Sequence, residues 1–71
     1  MSADEIEEQL EEQGQRIHYL KQVMDERMRP NAEVLKFAEE RGIDVEAAAE
    51  MLIESAEEEI AELRADLAQA A

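Results

Sequence analysis

One proline and one of two glycines cut this chain into three segments, each with its apolar residues at helical spacing. Pro30 lacks a backbone donor and pushes Arg29 away from helical geometry, so a helix has to close before it. Gly42 follows the helical run Lys36 to Arg41, where a left-handed residue closes a helix.

The first segment opens on Ser2-Ala3-Asp4-Glu5, the spacing of a capping box. Ile6, Leu10, Ile17, Leu20 and Met24 then recur at spacings of 4, 7, 3 and 4, a heptad seam with Gln13 at the skipped position. Gly14 beside it weakens the helix by ~1 kcal/mol relative to alanine. The expected first helix covers about residues 3–28. Asn31 is a good N-cap for a short helix over about 32–41, carrying Val34, Leu35, Phe37 and Ala38. Asp44 caps a third helix over about 45–69, with Ile43 placed to fold back as a hydrophobic staple. Its stripe, Val45, Ala49, Leu52, Ala56, Ile60, Leu63 and Leu67, has a period near 3.67, which suits a nearly straight helix.

These elements predict one all-α domain over 1–71, an antiparallel hairpin of two long helices with a short middle helix. The apolar faces are broad around Ile17, Tyr19, Leu20, Val23, Met24 and Met28, and again around Val45, Ala48, Met51, Leu52 and Ile53. Both broad regions flank the short helix, which implies a three-helix head. The distal halves keep narrow seams, which implies a two-helix stalk. One seam per helix scarcely offsets the entropy of ordering the stalk. The expected remedy is a second copy, giving a homodimeric helical bundle. The self-association seam comprises Ile6, Leu10, Ile17, Leu20, Ile60, Leu63 and Leu67.

Charge narrows the function classes. Twenty acids face seven bases, for a net charge of −13. Nucleic-acid binding rests on lysine and arginine neutralising phosphates, and anionic membranes repel such a chain. No apolar run is long enough to span a bilayer, and the N-terminus is acidic where a secretory signal is basic and then apolar. A cytoplasmic protein is expected. Without cysteine there is no disulfide framework, and 71 residues leave one modest core, so no enzyme and no cofactor is expected.

Four of the seven bases, Arg16, Lys21, Arg27 and Arg29, form the only basic zone. It should neighbour Glu46, Glu50 and Glu54 at the start of the third helix, where structural ion pairing is the simplest use for it. The segment Lys36 to Leu52 resembles a helix-turn-helix in outline, with small residues at Ala38, Gly42 and Ala48. Its second helix would offer Val45, Glu46, Ala47 and Glu50 to a groove, and carboxylates oppose phosphates. His18 lacks the Glu-x-x-His partner of a di-iron bundle, because position 15 is Gln.

Two candidate partner surfaces remain. Glu50, Glu54, Glu57 and Glu58 follow one helical face and form the candidate partner-binding acidic face. Tyr19, Met24 and Met28 form the alternative, an adaptable apolar surface. The leading functional expectation is a small acidic adaptor or inhibitor of another protein with a basic surface. It would act by occupying a nucleic-acid-binding surface of its target. Structural self-assembly is the alternative, and a metal-binding helical bundle ranks third.

Overall fold

The computed structural model describes residues 2–70, with side chains for 2–69; the two ends of the expected 1–71 domain lie outside it. Three helices make up 84% of it: α1 (Ala3–Met24), α2 (Ala32–Arg41) and α3 (Val45–Ala70).

Each helix starts where a side chain can answer an unpaired backbone donor. The Glu5 N–H donates to Ser2 Oγ at 3.3 Å, the Val34 N–H to Asn31 Oδ1 at 3.0 Å, and the Ala47 N–H to Asp44 Oδ1 at 2.7 Å. α2 closes on Gly42 in the left-handed region at φ 66°. There the Ile43 N–H reaches Ala38 O at 3.1 Å and the Gly42 N–H reaches Glu39 O at 3.3 Å, the paired bonds of a Schellman motif.

α1 ends four residues before the expected position 28. The same motif closes it, with Arg27 N–H to Gln22 O at 2.9 Å and Glu26 N–H to Val23 O at 3.1 Å. Here the left-handed residue is Glu26, at φ 60°. A glutamate carries no stop signal, which is why periodicity ran the helix on to the proline. Tertiary contacts make the early stop worthwhile. The Tyr19 hydroxyl donates to Arg29 O at 2.9 Å and ties the α1–α2 connection back onto α1.

The head core unites Leu20 and Val23 of α1, Val34 and Ala38 of α2, and Ala48, Ala49, Leu52 and Ile53 of α3. Ile17, Tyr19, Met24, Phe37, Ile43 and Val45 pack around it. α1 and α3 are antiparallel, since early residues of one meet late residues of the other; Gln13 Nε2 donates to Glu59 Oε2 at 3.1 Å. Beyond the head this pair continues as the expected stalk, burying Ile6, Ala56 and Leu63. The molecule is accordingly long, 41 × 22 × 16 Å, with a radius of gyration of 13.8 Å. A compact chain of this length would have about 11 Å.

The two Schellman closures give a matched test. No heavy atom lies within 4 Å of a Cβ built at Gly42, so Gly42→Ala meets only the backbone penalty of positive φ. It should destabilise by about 1 kcal/mol, lowering the melting temperature by roughly 4–8 °C in a domain of this size. Glu26→Gly should shift it upward by a comparable amount, whereas Glu26→Gln, which only removes the charge, should not. Thermal melts by circular dichroism check all three.

Candidate functional site

α2 covers one flank of the α1–α3 pair. It does so through Val34 and Ala38, which pack on α3 within the shared core, and through an ion pair from Arg16 of α1 to Glu33 of α2. The other flank carries a groove in which no residue of α2 takes part. Two adjoining hollows compose it, with volumes of about 390 and 280 Å3. The first is lined by Lys21, Met24 and Asp25 from α1's end and by Glu50, Ile53, Glu54 and Glu57 from α3. The second is lined by Ile17, Ile60, Ala61 and Arg64, and shares Lys21 and Glu57 with the first. Its floor is apolar and its rims are charged.

This geometry sorts the acidic face. Glu50, Glu54, Glu57 and Glu58 are all exposed. The first three gather along the groove and Asp25 joins them from α1, while Glu58 lies outside it. The residues of the alternative surface lie on different faces. Tyr19 and Met24 are five positions apart, about 140° round a helix at 3.6 residues per turn. Tyr19 is engaged with Arg29, Met24 is half-buried at the groove, and Met28 is 49% exposed in the connection. Leu35 and Met51 are the other large apolar side chains left exposed among the described residues.

Within the chain, the predicted self-association seam is used unevenly. Ile6, Leu20 and Leu63 are buried, while Leu10, Ile17, Ile60 and Leu67 are half-buried. Gln13 sits in the seam, where its Nε2 faces the Glu59 carboxylate and its Oε1 is buried with no partner among the described residues. The amide orientation follows from the carboxylate, which accepts but cannot donate.

The expected pairing of the basic zone with the start of α3 is replaced by other contacts. Among the described residues the ion pairs are Arg16–Glu33, which ties α1 to α2, and Lys36–Glu40 at 3.9 Å within α2. Lys21 stands across the groove from Glu50, Glu54 and Glu57, and the Met24–Ile53 floor lies between the rims. Arg41 stacks on Phe37, 4.4 Å from the ring centroid. His18 is exposed and in contact with Gln22, its Nε2 3.0 Å from the amide nitrogen. No group of three or more metal-ligating side chains is found among the described residues. No helix among them is long and apolar enough to cross a membrane.

Ile53, Glu57 and Ile60 stand in the predicted apolar and acidic faces, whereas Asp25, Ala61 and Arg64 of the groove stand in neither. Arg64 had a signal: Ile53, Glu57, Ile60 and Arg64 recur at 4, 3 and 4, a row that shares Ile60 with the main seam of α3. Compared with models of known families, with curated proteins and with solved structures, the chain matches none.

Four carboxylates around one hollow, in a chain of net charge −13, repel one another with Lys21 as the sole cation there. Raising the salt from low to moderate concentration should screen that repulsion and raise the melting temperature by a few degrees. The Glu50→Gln, Glu54→Gln, Glu57→Gln triple variant should show a smaller rise.

Proposed function

We propose that this chain is a small acidic binding module that engages a basic surface of another protein, as an adaptor or inhibitor. The observation that carries the reading is the exposed run Glu50, Glu54, Glu57 and Glu58 on α3, none of which pairs within 4.0 Å with a cation among the described residues. Carboxylates held on a rigid helix at fixed spacing attract basic side chains at a distance and bring them in register. Where the target's basic surface serves to bind nucleic acid, occupying it would inhibit that target by competing with phosphates.

Such binding is screened by salt and depends on charge more than on shape. Changing Glu54, Glu57 and Glu58 together to glutamine keeps side-chain size and helix propensity. The variant should fold normally and bind a basic partner more weakly, chiefly through a slower on-rate, as read by stopped-flow or surface plasmon resonance across salt concentrations. Unchanged binding, with binding lost instead on mutating Met28 or Leu35, would move the contact to the head and remove this reading.

A second reading, structural self-assembly through a dimeric bundle, is favoured by the half-buried Leu10, Ile17, Ile60 and Leu67 of the seam. Leu63 is already buried inside the chain, so Leu63→Glu would destabilise the monomer itself. Leu10→Glu is the cleaner probe. If copies share the seam, it should shift sedimentation from dimer to monomer with little loss of helix. A wild-type protein already monomeric at about 10–100 μM, where specific interfaces are populated, would remove the self-assembly reading.

A further inference from the structure

The groove opposite α2 has the dimensions and lining of a seat for one more helix. Its α3 rim runs from Glu50 to Arg64, about 21 Å at a rise of 1.5 Å per residue, or close to four helical turns. Ile17, Met24 and Ile60 are half-buried and line it, with Ile53 beneath. That row gives an incoming helix a ridge of apolar side chains to pack against, as helices pack ridge into groove. The chain supplies its own precedent on the opposite flank. There α2, ten residues long, packs Val34 and Ala38 on α3 and completes the head core.

The rims decide which helix fits. Asp25, Glu50, Glu54 and Glu57 surround the end nearest the head, with only Lys21 against them. At the other end Arg64 and the shared Lys21 outweigh Glu57. A second copy of this chain would bring a further net charge of −13 against those carboxylates. We infer that the groove between α1 and α3 on the face away from α2 receives an amphipathic helix of another protein. Its narrow apolar stripe lies on Ile17, Met24, Ile53 and Ile60, and its flanking lysines or arginines meet Asp25, Glu50, Glu54 and Glu57. This rests on the acidic-module reading and adds the partner's shape: a helix with an apolar stripe between basic flanks, not any basic surface. Basic side chains contribute twice in such a seat, laying aliphatic stems along the floor and aiming their charged heads at the rim.

The probe is a synthetic amphipathic helix of leucine and lysine, with a helix of serine and lysine of equal charge as control. Titration into isotopically labelled protein, followed by amide chemical shifts, locates the contact, and calorimetry gives its strength. The leucine–lysine helix should perturb Ile17, Met24, Ile53 and Glu57 and bind more tightly than the control. Met24→Gln should weaken it about tenfold, the scale set by burying one methionine. Ile17→Gln is the companion, should Met24→Gln unfold the head by circular dichroism. Glu58→Gln, outside the groove, should weaken binding less than Glu54→Gln does, and Glu39→Gln, exposed on α2 away from the groove, should change nothing. With Glu50, Glu54 and Glu57 all replaced by lysine, binding should be lost and a leucine–glutamate helix should bind instead. Equal binding of the serine–lysine control, with Glu58→Gln as damaging as Glu54→Gln and Met24→Gln silent, would overturn the helix seat and leave the acidic-module reading standing. Binding indifferent to every one of these glutamates would overturn both. Shifts at the groove that grow with protein concentration alone would make the occupant a second copy and overturn the inference.

Discussion

Ala48 and Ala49, both at 0% exposure, sit side by side on the first turns of α3 where the head core closes. Their small size suits α3's close packing against both α1 and α2, where the core joins Leu20 and Val23 with Val34 and Ala38. Larger side chains at either position would push one neighbour away, because a core packed at crystal-like density has no room to absorb them. The head is where all three helices meet, and the stalk is the part of α1 and α3 that projects from it. Ile6, Ala56 and Leu63 hold that projection, with a polar tie from Gln13 to Glu59 midway.

Position relative to the head therefore orders the molecule's stability. Near Ala48 α3 has a partner on two sides, α1 and α2. Along the stalk each long helix has one partner, and Leu10, Ile60 and Leu67 stay half-buried. Gln13 adds to the contrast, because it occupies a heptad position that a leucine would fill and leaves Oε1 without a partner. A polar residue in a seam costs stability, and in coiled coils such residues select one register over its alternatives. Here its bond to Glu59 joins the two long helices in the antiparallel pairing that buries Leu20 and Leu52 in one core.

The same arrangement produces the molecule's asymmetry. α2 is short and can cover one flank only, and the Tyr19–Arg29 and Arg16–Glu33 contacts hold its approach to that side. The opposite flank keeps an apolar floor between charged rims. Negative charge concentrates there because the basic zone of α1 divides its bonds. Arg16 turns to α2 while Lys21 stays at the groove, so among the described residues the groove carboxylates of α3 form no ion pair.

Most of the architecture was legible in the residues themselves. The helical periods, the caps at Ser2, Asn31 and Asp44, the closure at Gly42 and the broad-then-narrow apolar faces are written within a few residues of where they act. Interactions between positions i and i+4 decide them, so sequence spacing is enough. The end of α1 was not legible, because Glu26 takes up a left-handed conformation that its side chain does not favour and that only tertiary contacts enforce. Nor could spacing reveal which of Tyr19 and Met24 faces α2, or that Asp25 joins Glu50, Glu54 and Glu57 while Glu58 stands apart. Those facts turn on how α1 and α3 pack and on which flank α2 occupies. That choice is made by contacts between residues far apart in sequence, and no local pattern encodes them; only the packed tertiary structure does.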